Sequence, residues 1–367
     1  MEYKKLGDIA TYINGYPFKP EDRGECGLPI IRIQDLTGNT YDLGYYDGKY
    51  PERIEINNGD ILISWSASLG VYVWNRGKAL LNQHIFKVVF DKVEINKRYF
   101  VYAVQFKLKE MEAKAHGATM KHIVKKDFDS TLIPYPSLKE QSRIAETIDS
   151  IAKSINMRQK QLQKLDDLIK ARFVELFASV EAEDTLQNLC TFIDYRGKTP
   201  EKVESGLPFI TAKNIRMHRM SFDTLEYISK ETYDRVMTRG FPQIGDVVFT
   251  TEAPLGNVCR IPFIETEFYI GQRIITMQTE RLEPAYLEYA LSSDEFKRKI
   301  AEKSSGSTVT GIRSKLFEQL TIPVPPRALQ ERFAAFVTQA DKSKAAVQKA
   351  LDEAQLLFDS LMQKYFQ

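Results

Sequence analysis

The 367-residue sequence is poor in the residues that build disulfide frameworks and metal clusters, with three cysteines and four histidines. Because Cys26, Cys190 and Cys259 are scattered and odd in number, we exclude a disulfide framework and expect a reducing, cytoplasmic setting. Apolar runs such as residues 99–104 are far shorter than the roughly 20 residues of a membrane helix, and no signal-peptide core is present. The net charge of +2 neither requires nor excludes a nucleic-acid partner.

Catalytic signatures are also missing from the sequence. Arg196-Gly-Lys-Thr resembles the end of a phosphate loop, but the position that should hold its first glycine is Phe192. There is no GxGxxG after a strand, no GxSxG, and no Asn-Pro-Pro-Tyr or Asp-Pro-Pro-Tyr stretch of a base methyltransferase. The histidines have no metal-ligand spacing. We therefore expect a binding protein without catalytic residues and without a metal site.

What the sequence does contain is one large unit used twice. GLPIIRIQDL at residues 27–36 recurs as GLPFITAKNI at 206–215, and GDILISWSASLG at 59–70 recurs as GDVVFTTEAPLG at 245–256. Residues 115–147 and 304–336 share 11 identities in 33 positions without a gap, whereas chance gives about two. A period near 185 residues is too long for a solenoid and indicates a duplicated domain.

The first part of each copy predicts an α+β globule. Short apolar runs bounded by turn residues predict strands, and longer stretches without Gly or Pro predict helices. The predicted strands are residues 30–33, 60–64, 71–74, 85–90, 209–211, 247–250 and 274–278, and the predicted helices are residues 98–107 and 284–299.

The second part of each copy predicts a long helix, because residues 139–178 and 328–366 contain neither Gly nor Pro and carry a heptad of apolar positions. About 35 residues at 1.5 Å each give a rod of about 50 Å. The residues expected to pack the two helices on each other are Ile148, Ile151, Ile155, Leu162 and Leu165 in the first copy and Val337, Val347, Leu351, Phe358 and Leu361 in the second.

Each predicted long helix therefore carries one stripe of apolar residues along its length. Because one chain contains two such stripes, we favour an internal antiparallel coiled coil. The alternative interpretation is a coiled coil between separate chains. The predicted domains are two globules, residues 1–137 and 181–326, and two spacer helices, residues 138–180 and 327–367. Proline-rich segments at 133–136 and 322–326 precede the helices, where proline is tolerated, and fix the exit from each globule. The expected architecture is a pseudo-twofold repeat.

Candidate binding residues lie in loops that combine cations, amides and aromatics. Arg reads guanine edges and Asn or Gln reads adenine edges, while Lys holds phosphates. The two copies share the same repeated motifs, but the side chains in the loops differ, as in SWSAS at 64–68 against TTEAP at 250–254. This difference predicts two different targets. The candidates for base or phosphate contact are Lys19, Arg32, Gln34, Trp65, Ser66, Lys121, Lys125, Arg196, Lys198, Lys213, Asn214, Arg216, Thr251, Glu252, Arg313 and Lys315.

The ordered set of motifs resembles the specificity (S) subunit of type I restriction-modification systems over essentially the full chain. Four pairs of motifs carry the resemblance. Two are the pairs quoted above, the third is LNQHIFKV with IGQRIITM, and the fourth is GATMKHIVKKDFDSTLIPYPSLKEQSRIA with GSTVTGIRSKLFEQLTIPVPPRALQERFA. The resemblance implies two target recognition domains, each reading half of a split site in double-stranded DNA, and helices that set the gap and dock two methyltransferase (M) subunits.

The resemblance also implies where the chemistry resides. S-adenosylmethionine is expected in the M subunits, and ATP with Mg in restriction (R) subunits that can join the complex, while this chain holds no cofactor. The alternative is a coiled-coil scaffold with two protein-binding adaptor domains and no DNA contact. A third interpretation, a nuclease or methyltransferase fragment, is disfavoured by the missing cofactor motifs.

Overall fold

A computed structural model describes residues 2–40, 42–114, 123–195, 200–271, 273–304 and 310–367. The chain forms two compact units, one made of residues Met1–Gln159 and Lys349–Gln367 and the other of Lys160–Gln348. Each unit therefore contains one α+β module and a part of each of the two long helices. None of the helices within these ranges is long and apolar enough to cross a membrane.

In the described part of the first copy there are ten short strands and five α-helices. The strands are β1 (Tyr3–Lys5), β2 (Thr11–Asn14), β3 (Leu28–Ile31), β4 (Tyr45–Tyr46), β5 (Glu55–Ile56), β6 (Ile61–Ser64), β7 (Gly70–Val73), β8 (Ala79–Leu81), β9 (Ile85–Val89) and β10 (Leu132–Pro134). The helices are α1 (Leu6–Ile9), α2 (Ile33–Leu36), α3 (Lys97–Lys114), α4 (Lys125–Ser130) and α5 (Leu138–Phe177).

The second copy follows the same plan. Its strands are β11 (Glu183–Thr185), β12 (Thr191–Asp194), β13 (Leu207–Ile210), β14 (Ile215–Arg216), β15 (Arg219–Met220), β16 (Glu226–Ile228), β17 (Val247–Thr250), β18 (Val258–Arg260), β19 (Tyr269–Ile270), β20 (Ile274–Gln278) and β21 (Thr321–Pro323). Its helices are α6 (Leu186–Leu189), α7 (Lys230–Val236), α8 (Pro284–Ser292), α9 (Asp294–Lys303), α10 (Ser314–Glu318) and α11 (Arg327–Phe366).

The sheets of the two modules have matching topology. A four-stranded antiparallel sheet has the order β2-β9-β6-β7 in the first and β12-β20-β17-β18 in the second. A second sheet is built on a parallel pair, β3 with β8 and β13 with β19. Each module also pairs its first strand with its last, β1 with β10 and β11 with β21, so each closes on itself before its long helix begins.

The turn before the central strand is the same in both modules. Gly59 and Gly245 have positive φ values of 92°, a conformation that glycine adopts without strain. The aspartate after each glycine accepts a hydrogen bond from the backbone two residues before that glycine, Asn57 N to Asp60 Oδ2 at 2.8 Å and Gln243 N to Asp246 Oδ2 at 2.7 Å. The repeated Gly-Asp pair in the sequence therefore corresponds to the same turn geometry in both modules.

The predicted strands and helices are confirmed with two differences. The run at residues 30–33 does not remain extended, because Ile33 starts the short helix α2, in which the Asp35 carboxylate accepts from Arg32 N at 2.8 Å. The helix expected at 284–299 is broken at Ser293, whose hydroxyl accepts from Phe296 N at 3.2 Å and caps α9. Serine competes with the helix backbone in this way, which is why it favours caps over helix interiors.

Buried glutamines fix the start of both long helices. Gln141 Oε1 accepts from Asn96 N at 2.9 Å, and Gln141 Nε2 donates to Pro136 O at 2.9 Å. Gln330 makes the same pair of hydrogen bonds, from Glu283 N at 2.8 Å and to Pro325 O at 2.9 Å. Each amide therefore joins the module to the proline-rich segment and the first turn of its helix.

The long helices pack on each other inside the second unit, and they do so antiparallel. Lys344 Nζ lies 2.7 Å from Asp166 Oδ1, and the rings of Phe173 and Phe177 lie 5.4 and 5.5 Å from that of Phe333. Residues later in α5 contact residues earlier in α11, so the two helices run in opposite directions. The internal antiparallel pair is therefore confirmed for this unit.

In the first unit the opposite ends of the same helices meet around α3. Phe366 is fully buried, with its ring 5.2 Å from that of Tyr99, and Met362 is also buried. Arg143 of α5 interacts with Glu140 and with Tyr365 of α11, and both interactions raise the pKa of its guanidinium. Met362 and Phe366 lie outside the heptad read from the sequence, because the last turns of α11 pack on α3 as well as on α5.

The predicted stripe residues differ in burial along the helices. Ile148 and Val337 are fully buried in the module cores, which contributes about 2 kcal/mol for each side chain. The remaining ones are half-buried: Ile151, Ile155, Leu162, Leu165, Val347, Leu351, Phe358 and Leu361.

The three cysteines give a simple test of the fold. Cys259 is buried, burial raises the pKa of the Cys190 thiol to about 12, and Cys26 is exposed beside Asp47. Because the thiolate is the reactive form, we expect one thiol per chain to react with a thiol reagent at pH 8, and three after denaturation. Rapid labelling of two or three thiols in the native protein would contradict these placements.

Candidate nucleic-acid interface

Four loops of the first module meet at the ends of the central strands. Trp65 N donates to His84 O at 3.3 Å, and Ile123 N donates to Trp65 O at 3.0 Å. The Trp65 indole donates to Asn14 Oδ1 at 3.3 Å. We call this surface the loop face of the first module, and it consists of residues 14–16, 65–68, 82–84 and 123–126.

The second module has the same hydrogen-bonded frame. Thr251 N donates to Arg273 O at 2.9 Å, and Ile312 N donates to Thr251 O at 3.0 Å. Ser314 Oγ donates to Asp194 Oδ2 at 2.9 Å. The loop face of the second module consists of residues 194–195, 251–254, 271, 273 and 310–315.

A strained backbone position occurs at the same place in both loop faces. Ala67 has φ of 58° and Ala253 has φ of 45°, although alanine disfavours the left-handed region. Such positions persist where the surrounding structure holds them, and they concentrate at functional sites. The surrounding structure therefore holds the loop after the central strand in a defined conformation in both modules.

The side chains on the two loop faces are chemically different. In the first, Trp65 stacks on Phe86 with centroids 5.5 Å apart, and Lys125 Nζ lies 5.9 Å from the ring centroid of Tyr12. In the second, Arg273 Nε and Glu252 Oε1 form an ion pair at 2.8 Å. One frame thus carries an aromatic surface in one copy and a charged one in the other.

Besides Arg216, five of the cations predicted for DNA contact are exposed among the described residues. Lys125 belongs to the first loop face, where it also pairs with Asp129 at 2.6 Å. The others are Lys19, Lys213, Arg313 and Lys315, of which the last two belong to the second loop face. These side chains are available to phosphate oxygens without rearrangement of the backbone.

Arg32 and Gln34 lie just beyond the carboxyl end of β3, next to the loop face. Arg32 Nε is 3.4 Å from Asp35 Oδ2, and its Nη2 donates to the Asp42 carbonyl. Gln34 is half-buried in α2. Any base contact by Arg32 requires exchange of these internal hydrogen bonds.

Three predicted residues are buried polar residues. Asn214 is 1% exposed, and its amide accepts from Thr211 N at 2.9 Å and donates to the carbonyls of Ser221 and Thr224. Ser66 and Thr251 are also buried. Internal partners occupy the Asn214 amide, and base or phosphate contact by these three buried residues stays a prediction.

Arg216 lies on a hairpin formed by β14 and β15, beside the second loop face. Asn257 Nδ2 donates to Ile215 O at 2.9 Å, which ties the hairpin to the loop that follows Thr250. The Arg216 side chain is exposed. The structure therefore brings the hairpin that carries Arg216 next to the loop that follows Thr250.

A buried ionic network anchors that hairpin to α8 and α11. His218 Nδ1 lies 2.8 Å from Glu288 Oε1, and the His218 ring stacks on Tyr289 with centroids 4.2 Å apart. Arg260 donates to Glu288 Oε2 at 2.5 Å and to Asp341 Oδ2 at 2.9 Å. Burial disfavours the charged guanidinium and lowers the pKa of Arg260. The charges and hydrogen bonds of Glu288 and Asp341 have the larger effect, so the pKa of Arg260 is raised overall.

Sequence reasoning missed Arg273 and His84. They occupy equivalent positions in LNQHIFKV and IGQRIITM, where the visible signal was a charged or titratable residue between two strand-forming runs. Three predicted contact residues, Lys121, Arg196 and Lys198, lie outside the described residues. Within the described ranges, no group of three or more His, Cys, Asp or Glu side chains is placed to hold a metal ion.

Comparison with known sequences identifies one family. The model described as "Type I restriction modification DNA specificity domain" matches twice, over residues 1–167 and 184–355. The chain is similar to the type I restriction enzyme EcoBI specificity subunit of Escherichia coli, with 24% identity over 98% of this chain and 84% of that protein. It is also similar to the MjaVIII specificity subunit of Methanocaldococcus jannaschii, with 22% identity over 95% of this chain and 89% of that protein.

Solved structures agree in fold. The S subunit of a type I restriction-modification system from M. genitalium superimposes with a TM-score of 0.58 at 16% identity, covering 100% of this chain and 96% of that chain. A chain from a structural study of assembly of the type I R-M system gives a TM-score of 0.55 at 18% identity, with 99% and 97% covered. Since the family model covers most of the sequence in two matches, the chain belongs to the type I restriction-modification DNA specificity family.

Proposed function

We propose that this chain is the non-catalytic, sequence-recognising subunit of a type I restriction-modification complex, and that each module reads one half of a bipartite, asymmetric site in double-stranded DNA. The observation that carries the proposal is the repeated loop frame with different side chains on it. The frame gives both modules one way of approaching DNA, and the side chains give each its own sequence preference.

The long helices provide the fixed gap between the half-sites in this proposal. α5 and α11 each have 40 residues, about 60 Å of helix. Two recognition elements on the same side of a duplex need a separation near one helical turn, about 34–36 Å. A paired, uninterrupted helix is stiff enough to hold such a distance, so the unread gap has a constant length.

Two equivalent grooves support the docking of two M subunits. The groove of the second unit, about 410 Å³, is lined by Lys170, Phe173, Val174 and Lys297, beside the end of α5. The groove of the first unit, about 350 Å³, is lined by Phe106, Lys109, Met362 and Gln363, beside the end of α11. Because the two occupy matching positions in the repeat, they suit two copies of one partner.

Exposed apolar side chains on the helices support the same proposal. Met157 is 60% exposed, Val174 61% and Leu356 73%. Contiguous exposed apolar groups mark association surfaces, and Leu356 is continued by Leu357, which is 50% exposed. We propose that M subunits cover them, that these subunits bind S-adenosylmethionine and methylate adenine, and that R subunits, where present, use ATP and Mg to cut DNA.

The scaffold alternative, two protein-binding adaptors without DNA contact, is disfavoured by the family membership and by the exposed cations at the loop faces. The test is co-expression with a candidate methyltransferase subunit followed by genome-wide mapping of methylated adenine. We expect a single motif with two unlike halves and a constant unread gap. Methylation without a motif, or at a continuous motif, would contradict the proposal.

Arg216→Ala is expected to weaken recognition of one half-site only. The side chain lies on the hairpin beside the second loop face, and a lost base contact reduces discrimination by about 1–3 kcal/mol at one position. The measurement is the methylated motif of the variant complex. An equal loss of binding to unrelated DNA would instead identify Arg216 as a phosphate contact.

A further inference from the structure

We propose that Arg273 reads a guanine in the half-site of the second module, and that Glu252 positions its guanidinium for that contact. The inference rests on the proposed function, since it assigns one base contact within the proposed DNA-reading surface. The position is one that sequence patterns did not single out. Three features of the second loop face support it.

The first feature is the place of Arg273 in the frame. Its carbonyl accepts from both Thr251 N at 2.9 Å and Thr251 Oγ1 at 3.2 Å, so its backbone is held at the start of β20. Thr251 O in turn accepts from Ile312 N. Arg273 therefore projects from a backbone that two other loops hold in place, which is what precise base recognition requires.

The second feature is the ion pair. Arg273 Nε lies 2.8 Å from Glu252 Oε1, and the two side chains are 53% and 40% exposed. An exposed pair of this kind adds at most about 1 kcal/mol to stability. Its more important effect is to restrict the guanidinium plane, and a restricted guanidinium is the group that binds guanine O6 and N7 with two hydrogen bonds.

The third feature is the way in which Glu252 is itself held. It forms an isolated backbone bridge with Gly311, and it precedes Ala253, whose φ of 45° fixes the turn. Glu252 is thus a positioning residue that acts through Arg273. The equivalent of Arg273 in the first module is His84, which has a different hydrogen-bonding capacity, so the two half-sites differ at this position.

The experiment compares the methylated motifs of complexes that contain the wild-type chain, Arg273→Gln, Arg273→Lys or Glu252→Gln. Arg281→Gln is the matched control, because Arg281 is 55% exposed and forms a similar ion pair, with Asp184 at 3.3 Å, away from the loop face. Thermal unfolding of each purified chain shows whether it is folded.

For Arg273→Gln we expect about a tenfold to hundredfold loss of preference for guanine at one position of one half-site, with the other half-site unchanged. Arg273→Lys should retain part of the preference, Glu252→Gln should weaken it at the same position, and Arg281→Gln should match the wild type. The Glu252→Gln result separates positioning from a merely stabilising ion pair, because a stabilising role would lower the unfolding temperature without changing the motif.

Two results would overturn the assignment. One is an unchanged motif in both Arg273 variants, and the other is a uniform loss of methylation in both while the chains stay folded, which indicates a phosphate contact. A wild-type complex without any bipartite motif would refute the proposed function itself, so the two failures are distinguishable.

Discussion

Lengthening both long helices is expected to abolish methylation at the original motif and to create a motif with a longer gap. Seven residues inserted after Gln159 and seven after Gln348, at the two boundaries between the compact units, preserve the heptad register of both stripes. The inserts add about 10 Å of helix, equivalent to about three base pairs. Both half-sites should keep their sequences, because no loop face is altered.

A four-residue insert within residues 150–165 is expected to add about 6 Å, or about two base pairs, although it shifts the stripe out of register. The matched control replaces exposed Lys153, Lys160 and Gln161 by alanine without changing the helix length. That control should methylate the original motif. If the insertion variants also methylate the original motif with its original gap, the helices do not set the spacing.

Removal of the Glu288 carboxylate should give the largest loss of stability of any single substitution considered. Glu288 is 1% exposed and is paired with both His218 and Arg260. Without it, Arg260 keeps only Asp341 on α11 as a partner. Because the substitution removes one charged partner from Arg260 and the hydrogen-bond partner of the His218 ring, Glu288→Ala should lower the free energy of unfolding by about 3 kcal/mol.

That loss corresponds to roughly 10 °C in the unfolding temperature of a unit of this size, measurable by circular dichroism. The control is Glu295→Ala, because Glu295 is 53% exposed and pairs with Lys299 at 3.3 Å. It should stay within about 0.5 kcal/mol of the wild type. Equal unfolding temperatures for the two variants would show that the ionic network does not hold the hairpin and α11 to the module.

The repeat explains why much of the fold was predictable from one sequence. The same Gly-Asp turns, proline-rich segments and buried glutamines appear twice, and each pair has the same hydrogen bonds in both modules. The predicted helical stretches, residues 139–178 and 328–366, agree with the two long helices to within one residue at each end. These are local signals, in which the residues that interact are close in the sequence.

What the sequence did not reveal depends on contacts between distant segments. Asn214 has a residue type that reads adenine, but backbone groups up to ten residues away occupy its amide. Arg273 was overlooked because only the pairing of β17 with β20 brings it next to Glu252. Phe366 lies outside the heptad pattern, and its burial depends on a contact with Tyr99, which is far away in the chain.

Duplication of one module within the chain tests the central claim most directly. In this variant, residues 1–137 are replaced by a second copy of residues 181–326, and the methylated motif is mapped after co-expression with the methyltransferase subunit. If each module independently reads its own half-site, the motif becomes two identical half-sites on opposite strands, with the gap unchanged. A folded variant chain that still methylates an asymmetric motif containing the original first half-site would contradict the account.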